Sequence, residues 1–477
     1  MNLGLRYETH SPWVEVRDRQ SNFAPFSGEI QLAGTDTIYS DDRALYNAHN
    51  WDFPGNFQPR FGFAWTPSAF DRKLVVRGAY TISSYLEGTG TNLRLTLNPP
   101  FNSEFQTNYA GRTLPGSRTS QGLTVLSSAS DPFAGATIRL WDPDVRPAVV
   151  QQWNLSTQYE ISKTMTMQLG YVGQHGDHLM TPMPYFQRRL LGGFNGDGTP
   201  KTAASPYLAG NPALANISQI SGTESNSSMR YDALQAVAQK RFSSGLQYQV
   251  AYTYSKVMTN SSGYYGSWGG QTVPTSPYWQ NLYDKRAEWG PAYYDVTHVL
   301  SSYAVYDLPV GRGKKFGGDM NRIVDAVIGN WRMTGILTLR GGFPLTIAAG
   351  DASGTNSRGP RANCVAPVTT FGRQNSPNGG FQWFDPSAFA APAPGTFGSC
   401  GIGTVRGPGL SQLDLGLQKR FSFSETKWIE LRGEAINFTN TPTLNIGYGT
   451  QALGPDLGHI NNAQGARNIQ FALKFFF

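Results

Sequence analysis

The last eleven residues, 467-RNIQFALKFFF-477, alternate with a period of two. Ile469, Phe471, Leu473, Phe475 and Phe477 fall on one face of an extended strand, and Gln470, Ala472, Lys474 and Phe476 on the other. Chain ends are ordinarily frayed and polar, because nothing ties them down. A strand whose apolar face runs to the very last residue is expected to meet an apolar surrounding there. The rest of the chain has to say what that surrounding is.

Composition narrows the choice. Hydrophobic residues make up only 39% of the 477, yet aromatics reach 13%, with 54 Gly and 30 Pro. Charged residues are 15%, against the ~25% of an ordinary soluble domain. So little charge argues against a solvated disordered chain, and so many turn formers against a helical enzyme. Many strands joined by Gly, Pro, Asn and Ser loops suit the figures. Mean hydropathy is −0.37, and no run approaches the ~20 apolar residues of a spanning helix; a membrane location is therefore expected to be that of a barrel. The formal charge of +7 is spread along the chain, without the basic block of a nucleic-acid footprint. The densest basic cluster, 310-VGRGKKFGG-318, lacks phosphate-loop spacing and reads as a turn. The opening stretch, 1-MNLGLRYE-8, alternates at once and shows no export leader. The expectation is a leader already removed, or a Met1 that lies inside a longer polypeptide.

Period-two runs predict twelve strands. They are Asn2–Glu8, Pro59–Thr66, Lys73–Tyr85, Gln151–Ile161, Thr164–Gly173, Tyr231–Phe242, Gly245–Val257, Val296–Leu308, Asn330–Gly341, Ser411–Phe421, Thr426–Phe438 and Arg467–Phe477. Most match the ~9–11 residues that cross a bilayer at a tilt and exceed the ~5–6 of globular strands. The connections alternate. PSAFDR, SK, SS and SFSE are tight, while 9–58, 86–150, 174–230, 258–295, 342–410 and 439–466 are long. The segment 309–329 counts as an elaborated short side. Brief periplasmic turns and long extracellular loops are the asymmetry of outer-membrane barrels, and the fold expected is an all-β, antiparallel transmembrane barrel.

The faces agree with that. Ile429, Leu431, Gly433 and Ala435 alternate with Glu430, Arg432 and Glu434; Met333, Gly335, Leu337 and Leu339 alternate with Arg332, Thr334, Thr338 and Arg340. Soluble sheets alternate too, but strand length, loop asymmetry and aromatics near strand ends (Trp153, Tyr171, Tyr254, Trp331, Trp428) point to a lipid-facing girdle. On this reading Arg332, Arg340, Glu430, Arg432 and Glu434 face the lumen, as a ladder of paired charges or as a substrate path.

The ordered series RPAVVQQWNLSTQYEI, LGYVGQHGDHL, YDALQAVAQKRFSSGLQYQVAYTYSK, YDVTHVLSSYAVYDLPVGRGKKFG, GNWRMTGILTLRGGFPLTI, LDLGLQKRF and ELRGEAINFTNTPTLN resembles the C-terminal barrel of TonB-dependent outer-membrane receptors, in particular the Oar-like (OmpA-related) branch. The resemblance covers nearly the whole chain. It implies that residues 1–477 are one barrel region, the C-terminal portion of a larger receptor barrel of twenty-two strands. It also implies ligand uptake, and assembly-machinery recognition through Phe471, Leu473, Phe475 and Phe477. The family's plug and TonB-box segments are not visible here, so any dealings with the TonB system are expected to run through a plug region outside this chain. The partners expected are outer-membrane lipid, the assembly machinery and a transported ligand of unknown identity, with no nucleic acid. A stand-alone twelve-stranded pore and a secreted all-β binding or adhesion protein are the alternatives.

Chemistry is sparse. The run 174-QHGDH-178 puts His175, Asp177 and His178 together just past a predicted strand, but nothing fixes their spacing and a turn is the simpler reading. The oxygen-rich stretches 195-NGDG-198 and 350-GDASGTNS-357 lack the closing Glu of a calcium loop and read as turns. No nucleophile elbow or ordered triad appears. Neither an enzyme nor a cofactor or metal is expected. Cys364 and Cys400 share one exported loop and are expected to form a disulfide.

Overall fold

The computed structural model describes residues 1–24, 27–35, 37–39, 41–47, 56–86, 93–102, 136–207, 217, 219–261, 278–376, 379–424, 426–446, 451–460 and 462–477. Its main sheet runs through twelve long strands in chain order. They are β1 (Asn2–Tyr7), β2 (Phe57–Trp65), β3 (Leu74–Tyr85), β4 (Ala148–Ser162), β5 (Met165–Met183), β6 (Gln219–Ser243), β7 (Leu246–Thr259), β8 (His298–Asp307), β9 (Trp331–Arg340), β10 (Leu410–Ser422), β11 (Trp428–Ile436) and β12 (Asn468–Phe476). Each pairs antiparallel with the next. Among the described residues no ladder joins β1 to β12.

Register carries one apolar face across the whole sheet. Leu155 stands opposite Tyr171, which stands opposite Leu234, and Leu234 opposite Tyr254. Farther on, Met333 meets Leu417, and Leu431 meets Leu473. Such rows follow from strict alternation, because facing residues on neighbouring strands share a side. These side chains have no protein core to enter: Leu155 is 51% exposed, Leu234 46% and Phe471 80%. Glycines let aromatic rings lie flat on this face. A Cβ on Gly173 would stand 2.3 Å from the Trp153 ring across the β4–β5 pair, so any larger residue displaces that ring.

The buried residues lie instead in the segments at the long-loop end. One cluster joins Phe23, Ile138, Leu140, Tyr185, Ile220 and Trp279, from four successive connections and the strand ends beside them. A second packs Leu345, Ile347, Phe384 and Phe389 against Leu444, Leu457 and Ile460. A third brings Tyr46, Leu95, Trp141 and Met180 together. The long connections thus form a packed cap, while the sheet itself has no core.

Several strands exceed their predicted bounds by a few residues, and two do so by ten or more. β5 continues to Met183 and β6 begins at Gln219, because their ladder carries on into the cap. There Met180, Thr181, Ser221 and Thr223 are all buried and alternation ends. Thr137–Trp141 adds a parallel strand to β6 at the same level. The connection 309–329 also holds a helix, Arg322–Ile328, whose N-cap Asn321 side chain accepts from the Val324 N–H at 2.9 Å.

Candidate functional site

On the sheet's other, polar face the register collects the charges. Arg332, Arg340, Glu430, Arg432 and Glu434 all lie on this side. The Arg332 guanidinium donates to both Asp307 carboxylate oxygens at 2.5 and 3.0 Å. Arg432 sits between two acids of its own strand, 2.8 Å from Glu430 and 3.4 Å from Glu434. Residues two apart on a strand share a face, so this arrangement needs no other element. Gln470 extends the row by donating to Glu434 at 2.5 Å. Arg340 instead lies 4.3 Å over the Phe343 ring. Trp428 departs from the expected girdle. Its register puts it on the polar face, stacked 4.5 Å from Phe476, with Arg420 3.9 Å above it. A cavity of about 330 Å³ opens beside these groups at the short-turn end, lined by Asp307, Lys314, Arg332, Arg420, Trp428 and Glu430 among others.

The C-terminal residues are arranged differently. Phe471, Leu473 and Phe475 stand on the apolar face opposite Gly433, Leu431 and Ile429. Phe475 stacks on Phe477 at 5.9 Å, and Phe477 is 90% exposed.

In the cap the structure brings together residues that spacing along the chain cannot connect. Arg361 and Glu288 form an ion pair of 2.6 Å with side chains 4% and 3% exposed. Arg361 also donates to the carbonyls of Cys400 at 2.9 Å and Ala287 at 3.1 Å. Gln280 links the same segments, its Oε1 accepting from the N–H groups of Arg361 and Gly398 while its own N–H donates to Glu288. Burial pushes the Glu288 carboxyl up from the usual range, and Arg361 pulls it back. Arg406 reaches the buried Asp295, tying the same two connections again. Beside them lies a cavity of about 30 Å³ between Asn260, Trp279, Glu288 and Arg361, room for about one water. Cys364 and Cys400 are joined, with sulfurs 2.04 Å and Cα atoms 5.0 Å apart. Trp13, Tyr283, Trp289 and Tyr294 remain exposed. Nothing in the local sequence pattern marks the Arg361–Glu288 and Arg406–Asp295 pairs, because each spans two connections, whereas the two cysteines share one.

The oxygen-rich stretches are turns. Asp197 accepts from the Thr199 N–H at 3.0 Å, and Asp351 accepts from the N–H groups of Ser353 and Ser357, both at 3.0 Å. His175 and Asp177 pair at 2.9 Å, but inside β5 rather than past a strand, and the His175 Nδ1 lies 3.0 Å from the Met229 carbonyl. Among the described residues no three His, Cys, Asp or Glu side chains are grouped to hold a metal ion.

Comparison with solved structures finds outer-membrane proteins. The outer membrane transporter YddB from Escherichia coli is 11% identical, with a TM-score of 0.45 over 88% of this chain and 40% of that one. The siderophore receptor PirA from Acinetobacter baumannii is 9% identical, with a TM-score of 0.41 over 88% and 41%. The FrpB iron transporter from Neisseria meningitidis is 9% identical, with a TM-score of 0.38 over 88% and 39%. The chain spans about two fifths of these proteins' length. No curated protein matches it. The family model described as "Outer membrane beta barrel domain" matches residues 1–470. The chain therefore belongs to the outer membrane beta barrel domain family, and its place is the outer membrane.

Proposed function

We propose that residues 1–477 are the barrel region of a TonB-dependent-receptor-like protein of the Oar-like branch. In this reading the cap captures a ligand outside the cell and the polar face conducts it inward, without enzymatic chemistry. The observation that carries it is the division of burial. The sheet keeps a continuous exposed apolar face, while the packed cores all lie at the long-loop end. Such a sheet needs lipid on its apolar side, and such a cap presents exposed aromatics and a shaped surface to water.

The apolar face then meets outer-membrane lipid, the short turns lie in the periplasm, and the charged polar face lines a lumen. The terminal Phe471, Leu473, Phe475 and Phe477 address the barrel assembly machinery. Further strands complete a wall larger than these twelve, and the TonB system acts through a plug region. The test is accumulation of labelled iron chelates, oligosaccharides and peptides by cells with and without the gene, each with and without a protonophore. The reading expects uptake of one class that needs both the gene and the proton-motive force. Gene-dependent entry that ignores the protonophore would favour a passive pore. Recovery of the protein from the medium without detergent would favour a secreted binding protein.

A further inference from the structure

We infer that the connection 309–329 is a lipid anchor: its helix Arg322–Ile328 lies in the plane of the periplasmic leaflet, apolar side in the acyl region and basic residues on anionic phospholipid headgroups. The inference rests on the membrane orientation proposed above.

Four observations support it. First, the helix is amphipathic with the apolar side outward. Ile323 and Val327, and Val324 and Ile328, are four residues apart and form one stripe. They are 79%, 64%, 39% and 50% exposed, and no helix residue is buried. A seven-residue helix is too short to persist by propensity alone, so an apolar stripe facing water would be doubly unfavourable.

Second, the helix is fastened to the sheet's apolar face. Trp331, the first residue of β9, donates from its indole Nε1 to the Val327 carbonyl at 3.0 Å. Its register partner on β10 is Lys419, also on the apolar side. A lysine there would be costly in lipid. Its ammonium donates instead to the Asp325 carbonyl at 3.1 Å and to the Gly329 carbonyl, and the residue is 2% exposed. The end of the helix thus covers the one basic group of this row.

Third, the charges suit an anionic surface. Arg312, Lys315 and Arg322 are exposed in this connection, while Lys314 lines the polar-face cavity beside Asp307. Of its two acids, Asp325 is engaged internally, its carboxylate accepting from the Arg312 N–H at 2.7 Å and from Asn330. Lys315 lies 5.5 Å over the exposed Phe316 ring, an aromatic and a cation side by side at the same level.

Fourth, the position is right. The connection joins β8 to β9 at the short-turn end, where the apolar face must give way to headgroups and water. A short amphipathic helix with a basic polar side is the form that lies in such an interface, and basic residues near an anionic leaflet are drawn to it.

The full chain, purified and reconstituted in bilayers of phosphatidylethanolamine and phosphatidylglycerol, provides the test. Its own cysteines are joined, so a single introduced thiol takes a spin label. Labels at Ile323→Cys, Val327→Cys, Asp319→Cys and Leu431→Cys are compared for relaxation by oxygen, which concentrates in lipid, and by a water-soluble nickel chelate. The oxygen-to-nickel ratio at 323 and 327 should be severalfold that at 319 and approach that at 431. Ratios at 323 and 327 equal to that at 319, with 431 still in lipid, would overturn the anchor alone. A water-exposed label at 431 would overturn the membrane reading itself. Replacing phosphatidylglycerol with phosphatidylcholine should raise label mobility at 323; unchanged mobility would remove the anionic-headgroup part. Lys419→Met should likewise free the label at 327, and an unchanged spectrum there would show that the lysine does not hold the helix.

Discussion

Arg361→Met tests whether the cap is a packed, cooperative unit. The guanidinium makes three hydrogen bonds, to Glu288, the Cys400 carbonyl and the Ala287 carbonyl, at 2.6, 2.9 and 3.1 Å. Removing it leaves the Glu288 carboxylate, whose side chain is 3% exposed, facing a neutral thioether. Breaking a buried pair from one side costs about 3–5 kcal/mol, because the remaining charge has lost its counter-ion away from water. Replacing both partners, as Arg361→Met with Glu288→Leu, removes the orphaned charge. The carbonyls of Cys400 and Ala287 lose their donors in both variants, so the double differs only in exchanging the orphaned charge for the lost acceptor of the Gln280 N–H, a smaller cost of about 1–3 kcal/mol. The double variant should therefore be less destabilised than the single one. The assay is hydrogen exchange of the reconstituted protein at the N–H groups of Ala362 and Cys400, which pair with the carbonyls of Ile347 and Ala362 at 2.9 and 3.0 Å. Protection lost in the single variant and largely restored in the double is the expected pattern. A change under about 1 kcal/mol in the single variant, or a double variant as damaged as the sum of both singles, would refute the claim that this pair is buried and coupled.

Other expectations follow from the same geometry. Because the folded cap holds the Glu288 proton more tightly than the unfolded chain, cap stability should fall as pH rises from the ordinary carboxylate range through the raised folded value; Glu288→Gln should flatten that part of an exchange-protection profile. Cys400→Ser opens a loop between positions 36 apart in sequence and should cost the cap about 3–4 kcal/mol, read by limited proteolysis from outside the cell. Leu431→Arg should lower folding into lipid, by less than the ~2–4 kcal/mol of a midplane site because Leu431 pairs with Lys419 near the short-turn end, with Arg432→Leu milder, since that position already faces the polar side. Deleting residues 475–477 should lower outer-membrane levels more than Phe476→Ala, which loses only the Trp428 stack; equal levels would count against an assembly role for the apolar end.

The sheet was legible because an apolar face and a polar face force alternation on every strand. Where that contrast ends, legibility ends too. At 180–183 and 220–223 the chain is covered on both sides, so β5 and β6 run on there without a period. The helix at Arg322–Ile328 lies in the elaborated short side 309–329 and leaves little mark there, since seven residues give barely two turns of pattern. Trp428 resembles a girdle residue by ring type, but its parity with Glu430 puts it on the polar face. The pairs Arg361–Glu288 and Arg406–Asp295 join segments some seventy to more than a hundred residues apart, and no local rule anticipates such meetings. The charge ladder around Arg432 was visible because it lies within one strand.

The cap has a consequence for how the wall is built. A strand sliding by two residues along its neighbour keeps every apolar side chain on the apolar face and every polar one on the other, so alternation alone scarcely distinguishes the two registers. The same slip moves everything attached to that strand by about 7 Å. Phe23, Ile138, Tyr185 and Trp279 meet in one cluster from four different connections, and a displacement of that size in any one of them would pull it apart. The outer loops thus proofread the ladder beneath them: the packed cap forms only over strands that have found their correct partners.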